Sequence, residues 1–373
     1  MKIQGCATPS GTRRYAERLS SSTSQGHFRQ QQELCISSIG LGTYLGHWDE
    51  RTDRMYQEAI RRAVEMGCNL IDSAVNYRFQ RSERAIGAAL KQMFDAGKSK
   101  RDEIVIATKG GFFAFDNEPP RDPREWVMKN IIEKDVAQSK DIVAGSHCMT
   151  PGYLKNQLSL SLDNLGLERV DIYYIHNPET QLESVPRDEF NKRIRAAFEF
   201  LEEAATEGRI QFYGTATWNG YRLPQGSRGY LSLEEMVGIA REVAGDSHRF
   251  RVIQLPYNLA MPEALTEANQ TVDGEPLSLL MAAHRLDITV MCSASIFQGK
   301  LTQSLPPFVG QALKGLKTDA QRAIQFVRST PGVTTALVGM SQRSHVEENM
   351  ETAAFDPAAV EDFFKMFSNS GEQ

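Results

Sequence analysis

Four residues able to move a proton stand on or just after the ends of apolar runs. Asp72 closes NLIDSA, Lys109 closes EIVIATKGG, His176 closes VDIYYIHN, and Tyr77 follows Asp72 by five places. Singly, each is more often a structural residue than a functional one. Together they suit the protonation of an oxyanion. A phenol with a pKa of about 10 donates poorly at neutral pH unless a nearby cation stabilises its anion, a role that falls to Lys109, with Asp72 holding the lysine charged and in place. The imidazole of His176 hydrogen-bonds a carbonyl oxygen as negative charge develops on it. The sequence has no HxH, HExxH or CxxC spacing and no nucleophile with an adjacent base. A metal is therefore not expected, and the electrons must come from outside, with a hydride cofactor the obvious donor.

The elements that must position these groups follow a regular rhythm from residue 35 onward. Apolar, Ile- and Val-rich runs at 35–43, 69–74, 103–110, 170–177, 211–217, 251–257, 288–293 and 335–339 read as strands. Amphipathic stretches at about 53–66, 82–96, 151–165, 187–207, 232–243, 276–285, 318–330 and 343–353 read as helices. Asp53 and Ser82 are candidate N-caps, Thr150-Pro151 is a helix start, and Gly208 stands where a helix should stop. Eight βα units in a row predict a closed parallel barrel of the (β/α)8 TIM type, because an open sheet usually has fewer strands divided around a crevice. The segments 111–149, 218–231 and 294–317 are too long for simple connections. In a barrel all three follow a strand and gather on the C-terminal face as candidate pocket walls.

The chain divides into an N-terminal extension or barrel-bottom cover at 1–34, the barrel at 35–354, and a C-terminal helix or tail at 355–373. Composition is ordinary for a globular protein, with 41% hydrophobic and 24% charged residues in 373. The net charge is −5, with basic residues spread along the whole chain, which speaks against a nucleic-acid partner. No apolar run approaches the length of a membrane span, and the polar N-terminus has no signal-peptide core, so a cytoplasmic protein without a membrane partner is expected. Five cysteines, an odd number, read as reduced thiols.

Across roughly residues 36–350 the chain resembles the aldo-keto reductase family. NLIDSAVNYRFQRSERAIGAAL is similar to the family segment carrying the catalytic Asp and Tyr, IATKGG to the lysine strand, and LSLSLDNLGLERVDIYYIHNPE to the helix and strand ending in the catalytic His. EGRIQFYGTATWN, VIQLPYNL and PGVTTALVGMSQRSHVEEN resemble the fifth, sixth and eighth strand segments, in the right order. The resemblance implies NAD(P)H-dependent reduction of an aldehyde or ketone, with hydride from the nicotinamide and the proton from Tyr77. It implies cofactor contacts from Gly42, Thr43, Asp72, Asn177, Thr217, Gln254, Ser293, Gly339, Ser341, Arg343, Glu348 and Asn349. NADP is expected over NAD, on the strength of Arg343 as a partner for the 2′-phosphate.

The chain also departs from the family pattern. Ala216 and Thr217 replace a common Ser-Asn pair at the nicotinamide carboxamide, and Ser293 falls where an aromatic residue usually stacks on the ring, leaving Phe297 or Phe113 as substitutes. The stretch from Tyr77 to Ser82 is two residues longer than the common spacing, with Arg78 where glycine is frequent. GLGTYLG at 40–46 is a near miss to a dinucleotide-binding fingerprint and is read as the end of the first strand. The substrate class expected is a small-molecule carbonyl, a sugar or an aromatic compound. Two other functions stay open: a cofactor-binding regulatory barrel, and a sugar-modifying enzyme that keeps its cofactor.

Overall fold

The computed structural model describes residues 2–368. Eight parallel strands close into a barrel: β1 (Ile39–Gly42), β2 (Leu70–Asp72), β3 (Val105–Gly110), β4 (Val170–His176), β5 (Ile210–Ala216), β6 (Phe250–Pro256), β7 (Thr289–Ser293) and β8 (Thr335–Gly339). They are neighbours in sequence order, and β8 pairs with β1 to close the ring. Between and after them run α1 (Glu50–Glu65), α2 (Arg81–Asp95), α3 (Pro151–Leu165), α4 (Arg187–Thr206), α5 (Leu233–Ala244), α6 (Leu279–Arg285), α7 (Asp319–Ser329) and α8 (Arg343–Met350). Each buries an apolar stripe against the strands, as with Tyr56, Ile60 and Val64 on α1 and Phe190, Ile194 and Leu201 on α4. Thr150 caps α3 through the Tyr153 N–H, and Gly208, at φ 75°, follows α4 in the left-handed conformation that glycine adopts without strain.

Three local expectations are corrected. The run at 35–43 is two strands. Leu34–Ser37 pairs antiparallel with Phe28–Gln31, and only Ile39–Gly42 joins the barrel. Ser38 lies between them, its N–H donating to His27 O, while the Ser37 N–H turns to Asn69 Oδ1 at 2.8 Å. Asp49, not Asp53, caps α1, accepting the Thr52 N–H at 2.7 Å. Ser82 lies inside α2, where its hydroxyl donates to Thr43 O at 2.7 Å. The residues before that helix, Arg78, Phe79 and Gln80, all have positive φ (48°, 56° and 70°). Such residues cost of order 1–2 kcal/mol each and need outside support. Asp53 supplies it, binding Arg78 and Arg81 at 2.6 Å each.

The hairpin closes the N-terminal end of the barrel. Leu34 and Ile36, with Ala7, pack on the interior residues Leu70, Val105, Ile172, Val252, Met291 and Leu337. Segments 24–38 and 328–355 meet there. Ser24 bonds the backbones of Ala353 and Phe355, Arg29 donates to the carbonyls of Arg328 and Val333, and buried Arg328 donates to Ser38 Oγ and to the carbonyls of Thr352 and Phe355. Residues 9–19 form a helix, as do 360–368; residues 369–373 of the tail lie outside the described ones. An unforeseen hairpin, Gln270–Val272 with Glu275–Leu277, turns at Asp273-Gly274 in the connection after β6. The 111–149 segment folds on a small core of its own around Phe113, Ile131, Cys148 and Tyr153.

Candidate active site

The barrel register gathers the predicted groups. Asp72 lies opposite Gly42 and Ala107, Lys109 opposite Tyr174, and His176 opposite Ala216, all at the C-terminal ends of β2, β3 and β4. The Lys109 ammonium donates to Asp72 Oδ2 at 2.6 Å and to Ser73 O at 2.8 Å, and it sits 5.0 Å from the centroid of the Tyr77 ring. Tyr77 meets His176 edge to face at 5.8 Å, Tyr44 at 5.0 Å on another side, and Phe112 packs on His176 at 5.1 Å. Asp72 Oδ1 accepts the Gln254 amide at 2.8 Å, so both carboxylate oxygens are bonded.

The electrostatics follow from burial. The Tyr77 phenol is pushed well above its usual range, first by burial, then by Asp72 and Tyr44, so it holds its proton at neutral pH. Lys109 is lowered, chiefly by burial and against the opposing pull of Asp72. His176 is pushed well below the usual imidazole range by burial, then by Lys109 and His147, which keeps it neutral. Its Nδ1 is buried and has no partner among the described residues. Glu83, of the Ser-Glu pair, lies in the supporting structure. It accepts Thr108 Oγ1 at 2.6 Å and Asn164 Nδ2 at 2.9 Å, and burial raises its carboxyl.

Above these groups opens a cavity of about 950 Å³. Tyr77 and His176 line it, as do Gly42, Thr43, Asp72, Asn177, Thr217, Gln254, Ser293, Gly339, Ser341, Glu348 and Asn349. Lys109 lies buried outside the lining, and Arg343 lies outside the cavity, its guanidinium held by Glu347 at 3.0 Å and Glu58 at 3.4 Å. Gln254, expected at a carboxamide, has its amide donor taken by Asp72. Thr217 Oγ1, in contrast, is buried and has no partner among the described residues. Neither Phe297 nor Phe113 lines the cavity. Phe113 packs on Trp126 and Tyr153 inside the 111–149 segment, and Phe297 lies under Lys300.

Several residues here escaped sequence reasoning. Tyr44 and Trp218 line the cavity directly after β1 and β5, where being next to a strand end was the available signal. Glu179 is buried just past His176, and one of its oxygens accepts the N–H groups of Trp218 (2.7 Å), Asn219 (3.0 Å) and Gly220 (3.3 Å), pinning the loop after β5. Burial raises its carboxyl, against those three bonds. His147, 29 residues before His176, gives no sign in the sequence of where it goes. Among the described residues no cluster of metal-ligand type occurs, and no helix is long and apolar enough to cross a membrane.

Residues 38–305 match the aldo/keto reductase family, which is more than half of the chain. The chain therefore belongs to that family. It is 29% identical over 209 residues to the NADH-specific methylglyoxal reductase of Escherichia coli K12, a match covering 55% of this chain and only about half (54%) of that protein. It is 24% identical over 353 residues to the D-threo-aldose 1-dehydrogenase of a Pseudomonas species, covering 88% of this chain and 92% of that one. The crystal structure of an aldo/keto reductase from Klebsiella pneumoniae in complex with NADP and acetate shares the fold, with a TM-score of 0.60, 17% identity, and coverage of 92% of this chain and 95% of that one.

Proposed function

We propose that this protein reduces an uncharged aldehyde or ketone to the alcohol with NAD(P)H, and that Tyr77, Lys109, Asp72 and His176 carry the proton chemistry. The observation that carries the reading is the Lys109 ammonium, tied to Asp72 and held against the Tyr77 ring at the cavity floor. The residues fit the cofactor. Thr217 Oγ1 offers a buried unpartnered hydroxyl to its amide end beside Asn177, while Gly339, Ser341 and the first turn of α8 offer backbone and hydroxyl donors to phosphate. When bound, the reduced nicotinamide supplies a hydride to the carbonyl carbon.

The protein supplies the rest. Tyr77, kept protonated by its surroundings, donates to the carbonyl oxygen, and neutral His176 orients that oxygen with a hydrogen bond. As charge moves onto the phenol oxygen, the nearby ammonium of Lys109 stabilises it in a site with little water to screen the interaction. Asp72 keeps Lys109 charged despite its burial. No Lys or Arg is among the described residues that line the cavity, which favours a neutral substrate. Tyr44, Phe112 and Trp218 give it aromatic faces suited to a sugar ring or an aromatic carbonyl.

The test is a fluorescence titration with NADPH and NADH, followed by absorbance assays at the nicotinamide band against aldehydes, sugars and keto acids. Cofactor binding with oxidation driven by neutral carbonyls is the expected result. Preference for keto acids would overturn the substrate class. Tight binding without turnover would overturn the enzyme reading in favour of a regulatory barrel, and a cofactor that stays bound through purification with no net consumption would point to a cofactor-retaining enzyme.

A further inference from the structure

The last open backbone group of β4 is completed by a side chain from a distant loop. The β3–β4 ladder ends at Gly110 opposite Ile175. Beyond it Gly111 turns away at φ 146°, its N–H going to Gln157 Oε1 at 2.6 Å, so the carbonyl of His176 has no strand partner on that side. His147 Nε2 takes the place of the missing strand, 2.8 Å from His176 O. Gly111 is needed for the approach, because a Cβ there would lie 2.9 Å from His147 Nε2 and 3.0 Å from His176 O. Phe112 packs edge to face on both imidazoles, at 5.0 Å from His147 and 5.1 Å from His176.

The hydrogen bonds run in one direction. Arg193 can only donate, so its 2.6 Å bond to Gln181 Oε1 fixes the Gln181 amide and leaves that nitrogen to donate to His147 Nδ1 at 2.8 Å. A carbonyl can only accept, so Nε2 of His147 carries the proton. Both ends of the chain demand the same tautomer. His147 and Gln181 are fully buried, and the guanidinium at the outer end is paired with Glu189 at 2.9 Å. Buried chains of this kind strengthen when every member is satisfied.

We propose that His147, held by Gln181 and Arg193, is a positioning residue that fixes the His176 ring at the cavity floor. The inference rests on the proton-transfer reading above. Burial depresses the His147 pKa to about 4, so the chain persists across the pH range in which such an enzyme is assayed. The 111–149 segment is thereby more than a pocket wall, because one of its residues sets the geometry of a group on β4.

The test compares His147→Phe, which fills the space without a donor, with His147→Gln, whose amide can donate to His176 O. Cofactor affinity, kcat and the long-range 1H–15N spectrum of histidine-labelled protein are measured for each. His147→Phe should bind NADPH as the wild type does, lose about ten- to a hundredfold in kcat, and move the His176 ring resonances. His147→Gln should regain most of that loss. Equal losses in the two variants, or unmoved His176 resonances in His147→Phe, would overturn the proposal. The spectrum decides even if the wild type reduces none of the carbonyls offered, an outcome that would count against the function and not against the positioning role.

Discussion

The arc of the cavity from β2 to β4 and the arc from β5 to β8 use their polar atoms differently. On the first, Lys109 is bonded to Asp72 and Ser73, Asp72 also to Gln254, and Glu83 to Thr108 and Asn164. On the second, Thr217 Oγ1 is buried without a partner, and the side chains of Ser293 and Ser341 make no hydrogen bond among the described residues. A catalytic group held by its neighbours does not have to reorganise during the reaction, whereas a binding wall must keep its donors free for what it binds. The contrast teaches that the Lys109–Asp72 pair is complete in the protein alone, although His176 Nδ1 on the same arc has no partner among the described residues. The other arc is built to be completed.

The comparison breaks first at Tyr77. Tyr77→Phe should lower kcat by about 10²–10⁴-fold with cofactor affinity kept, and Lys109→Met should be comparably damaging, both read by steady-state assays beside fluorescence titrations. Normal turnover in either would show that the bonded arc is scaffolding. Thr217→Val, close in shape but without a hydroxyl, should weaken cofactor binding about three- to tenfold and leave kcat nearly unchanged. If kcat falls and affinity does not, the division between the arcs is wrong.

A smaller effect should separate them by pH. Because burial raises the folded pKa of Glu179 above the ordinary glutamate value, its contribution to stability is complete below that ordinary value and is lost as pH rises through the folded one. Melting curves of wild type and Glu179→Gln should therefore coincide near pH 4 and separate by about 1–3 °C at neutral pH, the wild type melting lower. A constant gap would mean that the carboxyl is not perturbed. Smallest is Arg343→Ala. Its exposed ion pairs cost little to break, so a swing toward a 2′-phosphate would show as a few-fold loss in NADPH affinity with none for NADH. Equal affinity for both in the wild type would sharpen the view that Arg343 belongs to the Glu58 and Glu347 pairs.

The barrel is legible because its buried strands are short apolar runs, and Asp72, Lys109 and His176 stand out as polar residues at or next to the ends of three of them. What failed was local geometry with several acceptable solutions. Residues 34–37 and 39–42 are nearly all buried, so no alternation marks the crossing at Ser38. Asp49 and Asp53 are both suitable caps, and only the demand of Arg78 and Arg81 assigns the second elsewhere. The Asp273-Gly274 dipeptide suits a hairpin turn, but the three-residue runs on either side are too short to mark strands. His147 was beyond reach, since its position depends on where β3 ends and not on its neighbours in the chain. The family resemblance points to Arg343, but the direction of a long exposed side chain is set by the carboxylates around it, here Glu58 and Glu347.

The meeting of segments 24–38 and 328–355 beneath the barrel also bears on how the protein is made. A nascent chain that has emerged only through β7 carries an unpaired edge on β1 and another on β7, and residues 24–38 lack their partners at 328–355. Such edges invite pairing with other chains. The ring can shut only after synthesis has passed β8, so a chain that stops short of it leaves both edges open to other chains.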